Sequence, residues 1–288
     1  MENGIRVIAQ GGGIMTAYHA GVIRAIKEQY GLGRISHIYG ISGGAATWTY
    51  AVSGQTELIE PLWTELIACG RFIRPFHHPT GRGVMDIDVL IDEMIRRRFP
   101  LDLKALLTSP ICMEVCATHA QTAIPCWFTQ HNSSDFLEVL RATCAVPYFY
   151  GRPVYINNQP YYDGGIASTT GTEHVDLTGK TLVALTRPQS EIGLPMPLRR
   201  FLRWLLIRKE SIQLQEAIFS APERRASEMH RLNTLEKLLS SKRLCILRPQ
   251  RDLPTLRIDP RVHALKATIQ RGYTDTIQSK TLSAFMNG

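Results

Sequence analysis

A serine and an aspartate, each placed beside glycines, are the residues of this sequence best suited to covalent chemistry. Ser42 lies between Gly40 and Gly43, after a predicted strand over residues 35–39 and before a predicted helix over 45–53. Such a turn exposes the serine hydroxyl at a helix N-terminus, where backbone N–H groups favour negative charge. The pattern predicts a nucleophilic serine. Taken alone, a pattern of five residues is more often a turn without a catalytic role. Other motifs are needed to identify Ser42 as a nucleophile.

A glycine turn follows the first predicted strand, residues 5–9, and precedes a predicted helix over 17–29. The candidate residues in it are Gly11, Gly12, Gly13 and Ile14. Consecutive amides of this kind can point at one spot and bind an oxyanion. The alternative is a dinucleotide-binding turn. Thr16 replaces the last glycine of that pattern, however, and the next strand ends in the serine turn and not in an acidic residue.

The candidate acid is Asp163, which ends the second strand of a predicted hairpin and precedes Gly164 and Gly165. An aspartate beside two glycines has no bulky neighbours, so its carboxylate can be held at one position. The alternative is an ordinary Asp-Gly turn, which is common.

These turns predict the fold class. Strand, glycine turn and helix are followed by strand, serine turn and helix, which indicates an α/β fold with a mainly parallel central sheet flanked by helices. Both turns then lie at the carboxyl edge of adjacent strands, where open α/β sheets bind ligands. We expect a single domain over residues 1–288, with a helical C-terminal third as an extension over 189–288.

Together, the motifs resemble those of the patatin-like phospholipase family, over residues 6–188. Four segments carry the resemblance: Gly11-Gly12-Gly13 with Ala20-Gly21-Val22-Ile23, the serine turn with Gly40, Gly43 and Gly44, Ala142-Thr143-Cys144-Ala145-Val146-Pro147, and Asp163-Gly164-Gly165. Two residues depart from the pattern, because Met15 and Thr16 stand where the family has a basic residue and a glycine. After Pro188 the sequence shows no motif of the family.

The resemblance implies a three-layer α/β/α fold and a hydrolase of lipid acyl esters with a Ser42–Asp163 dyad. It also implies an oxyanion hole at Gly11, Gly12, Gly13 and Ile14, and neither a cofactor nor a metal. The alternatives are an acyltransferase with the same dyad, and a catalytically silent protein that binds lipid or a membrane surface. A Ser-Asp-His triad is a further alternative, with Asp176 and either His230 or His263 as partners.

The formal net charge of +8 favours anionic partners. Residues 198–209 predict a basic amphipathic helix that could contact an anionic membrane, although a helix facing the core has the same pattern. Basic residues are otherwise scattered, which argues against nucleic-acid binding. We find neither a leader segment nor an apolar run long enough to span a membrane, so a cytoplasmic protein, peripheral to the membrane at most, is expected.

The six cysteines are spread along the chain, and only Cys112 and Cys116 have a spacing typical of zinc ligands. No second Cys/His pair with the spacing of metal ligands accompanies them, and both fall in a predicted strand. Buried, reduced thiols are therefore the preferred interpretation.

Overall fold

The computed structural model describes residues 4–74, 83–133, 135–187 and 207–288. In these ranges an eight-stranded sheet lies between helices. The strands are β1 (Ile5–Ala9), β2 (Ile35–Ile41), β3 (Cys112–His119), β4 (Pro125–Thr129), β5 (Val154–Ile156), β6 (Gln159–Asp163), β7 (Thr181–Ala184) and β8 (Leu244–Leu247). The α-helices are α1 (Ala17–Tyr30), α2 (Gly43–Val52), α3 (Ile59–Ala68), α4 (Leu103–Thr108), α5 (Phe136–Cys144), α6 (Pro147–Tyr150), α7 (Ile212–Leu238), α8 (Val262–Ile277) and α9 (Lys280–Asn287). A π-helix spans Val89–Arg98, and 3-10 turns span Gly13–Thr16, Thr56–Leu58 and Gly164–Ile166.

The centre of the sheet is parallel. β1 pairs in parallel with β2 and β7, β2 with β3, and β7 with β8, whereas β3–β4, β3–β6 and β5–β6 are antiparallel. β7 and β8 are buried at every residue, as expected for strands covered on both faces. The predicted fold class, a mainly parallel sheet flanked by helices, is confirmed.

The register along β3 explains why two distant strands meet. β2 ends with Ile41 beside Cys116, and β6 ends with Asp163 beside Ala117. β4 overlaps both pairings on β3, so it must occupy the opposite edge, and β2 and β6 share the remaining one. The two strands therefore run towards each other along β3. Their last residues lie at adjacent positions, which brings the turn after β2 to the carboxylate of β6.

The described part of the C-terminal third is mostly helical, and it also adds a strand that the sequence analysis did not predict. β8 pairs with β7 and extends the sheet. Of the predicted basic helix over 198–209, residues 198–206 lie outside the described residues. Among the helices that the structure describes, none is long and apolar enough to cross a bilayer.

α8 packs closely against α1 through two glycines. A Cβ built on Gly21 would lie 1.9 Å from the Ile269 carbonyl oxygen, and one built on Gly272 would lie 2.0 Å from the Tyr18 carbonyl oxygen. Only glycine permits this approach of two backbones, so α8 belongs to the same packed core as α1.

We expect Gly21→Ala to lower the free energy of unfolding by about 1–3 kcal/mol or more, because the new methyl group meets backbone that cannot rotate away. Helix propensity alone predicts the opposite sign, a gain of about 1 kcal/mol. Gly33→Ala is the control, since no atom lies within 4 Å of a Cβ built there. Urea denaturation measures the stability of both variants. Equal midpoints for the two would contradict the close contact of α1 and α8.

Candidate active site

Ser42 lies in a strained turn between β2 and α2. Its backbone has φ 54° and ψ −137°, in the left-handed region that non-glycine residues seldom adopt, and it forms the N-cap of α2. The flanking Gly40, Gly43 and Gly44 are buried. Strain of this kind persists only where the surroundings impose it, and it often marks functional sites.

The hydroxyl of Ser42 donates a hydrogen bond to Asp163, with 2.6 Å between Oγ and Oδ2. The other carboxylate oxygen, Oδ1, accepts the Gly165 N–H at 2.7 Å. The backbone of Asp163 is fixed as well, because its N–H donates to the Ala145 carbonyl and its own carbonyl accepts from the Thr118 hydroxyl. The structure thus places in direct contact the two residues that the family resemblance joins as a pair.

Thr143 links the serine turn to the sheet, a role that the sequence analysis did not assign. Its Oγ1 accepts the Ser42 N–H at 2.8 Å and donates to the Cys116 carbonyl at 2.5 Å. The residue lies in the segment 142–147 that carries the family resemblance. The motif therefore signalled its position, but the contacts depend on how α5 packs against β3.

Burial dominates the electrostatics of the Ser42–Asp163 pair. Only 4% of Asp163 is exposed, and desolvation raises the pKa of this carboxyl to about 6, although hydrogen bonds from Ser42 and Gly165 and the charge of Arg257 act in the opposite direction. Near neutral pH the carboxylate is mainly ionised, yet it is a stronger base than an ordinary aspartate. Cys144 lines the same cleft, but burial and then the Asp163 charge raise the pKa of its thiol, so it stays protonated.

The glycine turn lies directly against Ser42. A Cβ built on Gly11 would be 2.7 Å from the Ser42 Cβ and 3.5 Å from its Oγ. Among the described residues, no group accepts a hydrogen bond from the amides of Gly11, Gly12 or Gly13. The Ile14 amide differs, because it donates to the Arg257 carbonyl at 3.1 Å. In this structure the Ile14 amide is therefore engaged, whereas those of the three glycines are not.

The residues that depart from the family pattern are integrated into this turn. The Thr16 hydroxyl donates to the Gly13 carbonyl at 2.5 Å, and a Cβ built on Gly43 would lie 2.3 Å from that hydroxyl oxygen. Met15 is half-buried and packs against the core. Both side chains therefore support the turn without adding a charge.

Ser42 and Asp163 line a cleft with an empty volume of about 1000 Å³, solvent at its mouth included. Its lining is mainly apolar, with side chains such as Trp63, Phe72, Met85, Ile87, Leu90 and Phe149. Three arginines also line it, Arg187, Arg225 and Arg257. A largely apolar cleft with a few polar groups is typical of a site for a small molecule or an acyl chain.

Comparison with known proteins decides the family. A family model described as patatin-like phospholipase matches residues 7–176, more than half of the chain. The chain belongs to the patatin-like phospholipase family. At the level of the family, this places it among the lipid acyl hydrolases.

Two further similarities extend beyond the residues that the patatin-like family model matches, one in sequence and one in fold. The uncharacterized protein YjjU of Escherichia coli (strain K12) is 24% identical over 274 residues, which cover 93% of this chain and 74% of YjjU. The crystal structure of VipD from Legionella pneumophila shares the fold, with a TM-score of 0.52 and 13% identity, over 99% of this chain and 67% of VipD.

The histidine-containing alternative finds no support in this patatin-like fold. Asp176, His230 and His263 are exposed, and none of them lines the cleft. No histidine occurs among the described lining residues. Within the described ranges, no cluster of three or more His, Cys, Asp or Glu side chains could hold a metal ion.

Proposed function

We propose that the protein is a serine acyl hydrolase that cleaves the ester bonds of lipids, with Ser42 as nucleophile and Asp163 as general base. The observation that carries this proposal is the 2.6 Å hydrogen bond between Ser42 Oγ and Asp163 Oδ2, inside a largely apolar cleft. A nucleophile within hydrogen-bond reach of a base is the arrangement that covalent acyl transfer requires. The apolar lining suits the acyl chain of a lipid.

In the acylation step, Asp163 takes the proton of Ser42 while Oγ forms a bond to the ester carbonyl carbon. The carbonyl oxygen becomes an oxyanion, and we assign its hydrogen bonds to the amides of Gly11, Gly12 and Gly13. Loss of one such donor typically costs about 10²–10³-fold in rate. The C–O bond to the alcohol then breaks, and the alcohol leaves with the proton from Asp163.

In the deacylation step, water takes the place of the alcohol. Asp163 accepts a proton from the water, whose oxygen attacks the acyl-serine carbonyl, and the same amides bind the second oxyanion. The bond to Ser42 Oγ breaks, the serine recovers its proton, and a fatty acid is released. An alcohol acceptor in place of water would complete a transacylation instead.

The test combines active-site labelling with product analysis on the full chain. We expect a fluorophosphonate probe to modify Ser42, as mapped by peptide mass spectrometry, and we expect release of fatty acid from members of a lipid-class panel. The panel contains phospholipids, lysophospholipids, acylglycerols and short-chain esters, each incubated with water alone and with an added alcohol. Label on another residue, or no hydrolysis of any ester, would contradict the proposal.

The same experiment separates the alternatives. Acyl transfer to the alcohol in excess of fatty-acid release would favour an acyltransferase. A protein that resists the probe but sediments with anionic vesicles would favour a silent lipid-binding protein. The vesicle measurement also tests the membrane contact that we propose for residues 198–209.

A further inference from the structure

We infer that Thr186 is a positioning residue, which directs one amide of the glycine turn, the Gly12 N–H, towards the oxyanion formed at Ser42. This inference rests on the hydrolase proposed above and adds to it the group that orients its oxyanion hole. Thr186 follows β7 and is fully buried. It does not line the cleft itself, so its effect on the reaction passes through the glycine turn.

The glycine turn lies between Ser42 on one side and Thr186 on the other. A Cβ built on Gly11 would lie 2.7 Å from the Ser42 Cβ, whereas one built on Gly12 would lie 2.6 Å from Thr186 Oγ1. Both distances are too short for a real side chain, so each glycine permits the close contact on its own side. Ser42 and Thr186 therefore contact opposite sides of the same turn.

The Thr186 hydroxyl fixes the direction of the peptide that joins Gly11 to Gly12. Its Oγ1 donates to the Gly11 carbonyl at 2.8 Å, while a second acceptor, Gln10 Oε1, lies farther away at 3.4 Å. The peptide is trans and planar, so its C=O and N–H bonds point in opposite directions. With the Gly11 carbonyl directed at Thr186, the Gly12 N–H is directed away from it, towards the side on which Ser42 lies.

The next peptide but one has the same geometry, with both of its ends engaged. The Thr16 hydroxyl donates to the Gly13 carbonyl at 2.5 Å, and on the opposite side the Ile14 N–H donates to the Arg257 carbonyl at 3.1 Å. The Gly12 N–H differs, because no described residue accepts it although Gly12 is buried. Buried N–H groups without a partner are rare, and an oxyanion would supply the missing acceptor.

A peptide between two glycines requires a restraint of this kind. Glycine adopts positive and negative φ about equally readily, so the plane that joins Gly11 to Gly12 can rotate at little steric cost. Rotation would direct the carbonyl oxygen towards the oxyanion in place of the N–H. Amide donors accelerate a reaction only where they are oriented before it begins. In the part of the chain that the structure describes, the Thr186 hydroxyl is the only donor to this carbonyl.

Gln10 holds Thr186 in place and links it to the loop that follows Asp163. Its Oε1 accepts the Thr186 N–H at 3.2 Å, and its Nε2 donates to the Thr169 carbonyl at 3.2 Å. The backbone N–H of Gln10 donates to the Ala184 carbonyl at the end of β7. Thr186 is therefore held by hydrogen bonds that join β1, β7 and the Asp163 loop, and its direction is set before a substrate binds.

The test compares variants of the full chain with p-nitrophenyl butyrate as substrate. In Thr186→Ala, we expect kcat to fall by about 10- to 100-fold with KM changed by less than about 2-fold, because the oriented amide acts on the transition state. Thr186→Ser keeps the hydroxyl and should retain most of the activity. Thr276→Val is the control, since it removes a buried hydroxyl that binds the Gly272 carbonyl within α8, outside the cleft, and we expect no effect.

A pair of inhibitors separates orientation of the amide from a general loss of structure. With pentyl trifluoromethyl ketone, Ser42 Oγ bonds to the ketone carbon, the hydroxyl proton passes to Asp163, and the ketone oxygen becomes an alkoxide at the position of the oxyanion. The methyl ketone with the same chain binds without this addition. We expect Thr186→Ala to weaken binding of the fluorinated ketone by the same factor as kcat/KM, and to leave binding of the methyl ketone unchanged.

The outcomes distinguish this inference from the proposed hydrolase. Full activity in Thr186→Ala, an equal loss of affinity for both ketones, or a serine variant as impaired as the alanine variant would overturn the role of Thr186 and leave the hydrolase standing. If Thr186→Ala does not fold, Thr186→Val, which also lacks the hydroxyl but fills its space, decides by the same ratio of ketone affinities. An unmodified protein that neither hydrolysed the ester nor preferred the fluorinated ketone would overturn both proposals.

Discussion

Ser42→Ala is expected to lower the turnover of an activated ester by a factor on the order of 10⁶, as for loss of the nucleophile in other serine hydrolases. The variant lacks the oxygen that forms the acyl-enzyme in the proposed mechanism, whereas the glycine amides and the cleft remain. Steady-state hydrolysis of p-nitrophenyl butyrate measures the loss, and fluorophosphonate labelling should disappear in parallel.

A second buried serine provides the matched control for Ser42→Ala. Ser53 lies at the other end of α2, where its hydroxyl donates to the Tyr50 carbonyl and to the Gln55 side chain, outside the cleft. Ser53→Ala should retain the activity of the unmodified protein. If the Ser42 variant turned over ester as fast as the Ser53 variant, Ser42 would not be the nucleophile.

Asp163→Asn is expected to change activity and stability in opposite directions. Activity should fall by about 10²–10⁴-fold, since an amide cannot accept the Ser42 proton. Stability at pH 7 should rise by up to about 3 kcal/mol, because burial raises the carboxyl pKa from 3.8 to about 6 and each unit corresponds to 1.36 kcal/mol. The amide oxygen can still accept the Gly165 N–H, while the amide NH2 group, in the place of Oδ2, would donate to Ser42 Oγ instead of accepting from it.

The expected gain in stability follows from the linkage between proton binding and folding. Between pH 3.8 and about 6, folded Asp163 holds a proton that the unfolded chain has lost, so the contribution of this group to stability falls as pH rises through that window. Asparagine does not titrate. The difference in free energy of unfolding between variant and parent should therefore be small near pH 4 and reach its maximum above about pH 7.

Urea denaturation of both proteins at a series of pH values measures this gap. A variant that is less stable than the parent at pH 7 would contradict the interpretation of Asp163 as a buried, costly carboxylate. Thr118→Ser is a useful comparison, because it preserves the hydroxyl that holds the Asp163 carbonyl and should leave both activity and the pH dependence unchanged.

The sequence was most informative about those parts of the structure that depend on residues adjacent in the chain. β1 and β2 lead into helices through turns rich in glycine, so the α/β class followed from local pattern. The pairing of Ser42 with Asp163 was expected from the family resemblance, not from the local pattern around either residue. Its physical cause, two strands ending at adjacent positions on one edge of β3, depends on register, which no local pattern specifies.

What the sequence did not predict depends on contacts between distant segments. β8 is only four residues long, and its place beside β7 is fixed by pairing across the sheet. Arg257 lies in a segment without regular structure, and no local pattern indicates that it lines the same cleft as the distant Gly11. The engagement of the Ile14 amide by the Arg257 carbonyl could not be predicted for the same reason.

The contact of α1 with α8 has a consequence for attempts to exchange parts between relatives. Two backbones that touch at Gly21 and Gly272 leave no room for a foreign helix with a side chain at either position. The segment just before α8 also delivers Arg257 to the cleft. A chimera that grafts the C-terminus of a homologue onto this chain would therefore have to match both glycines before any transfer of lipid preference could be observed.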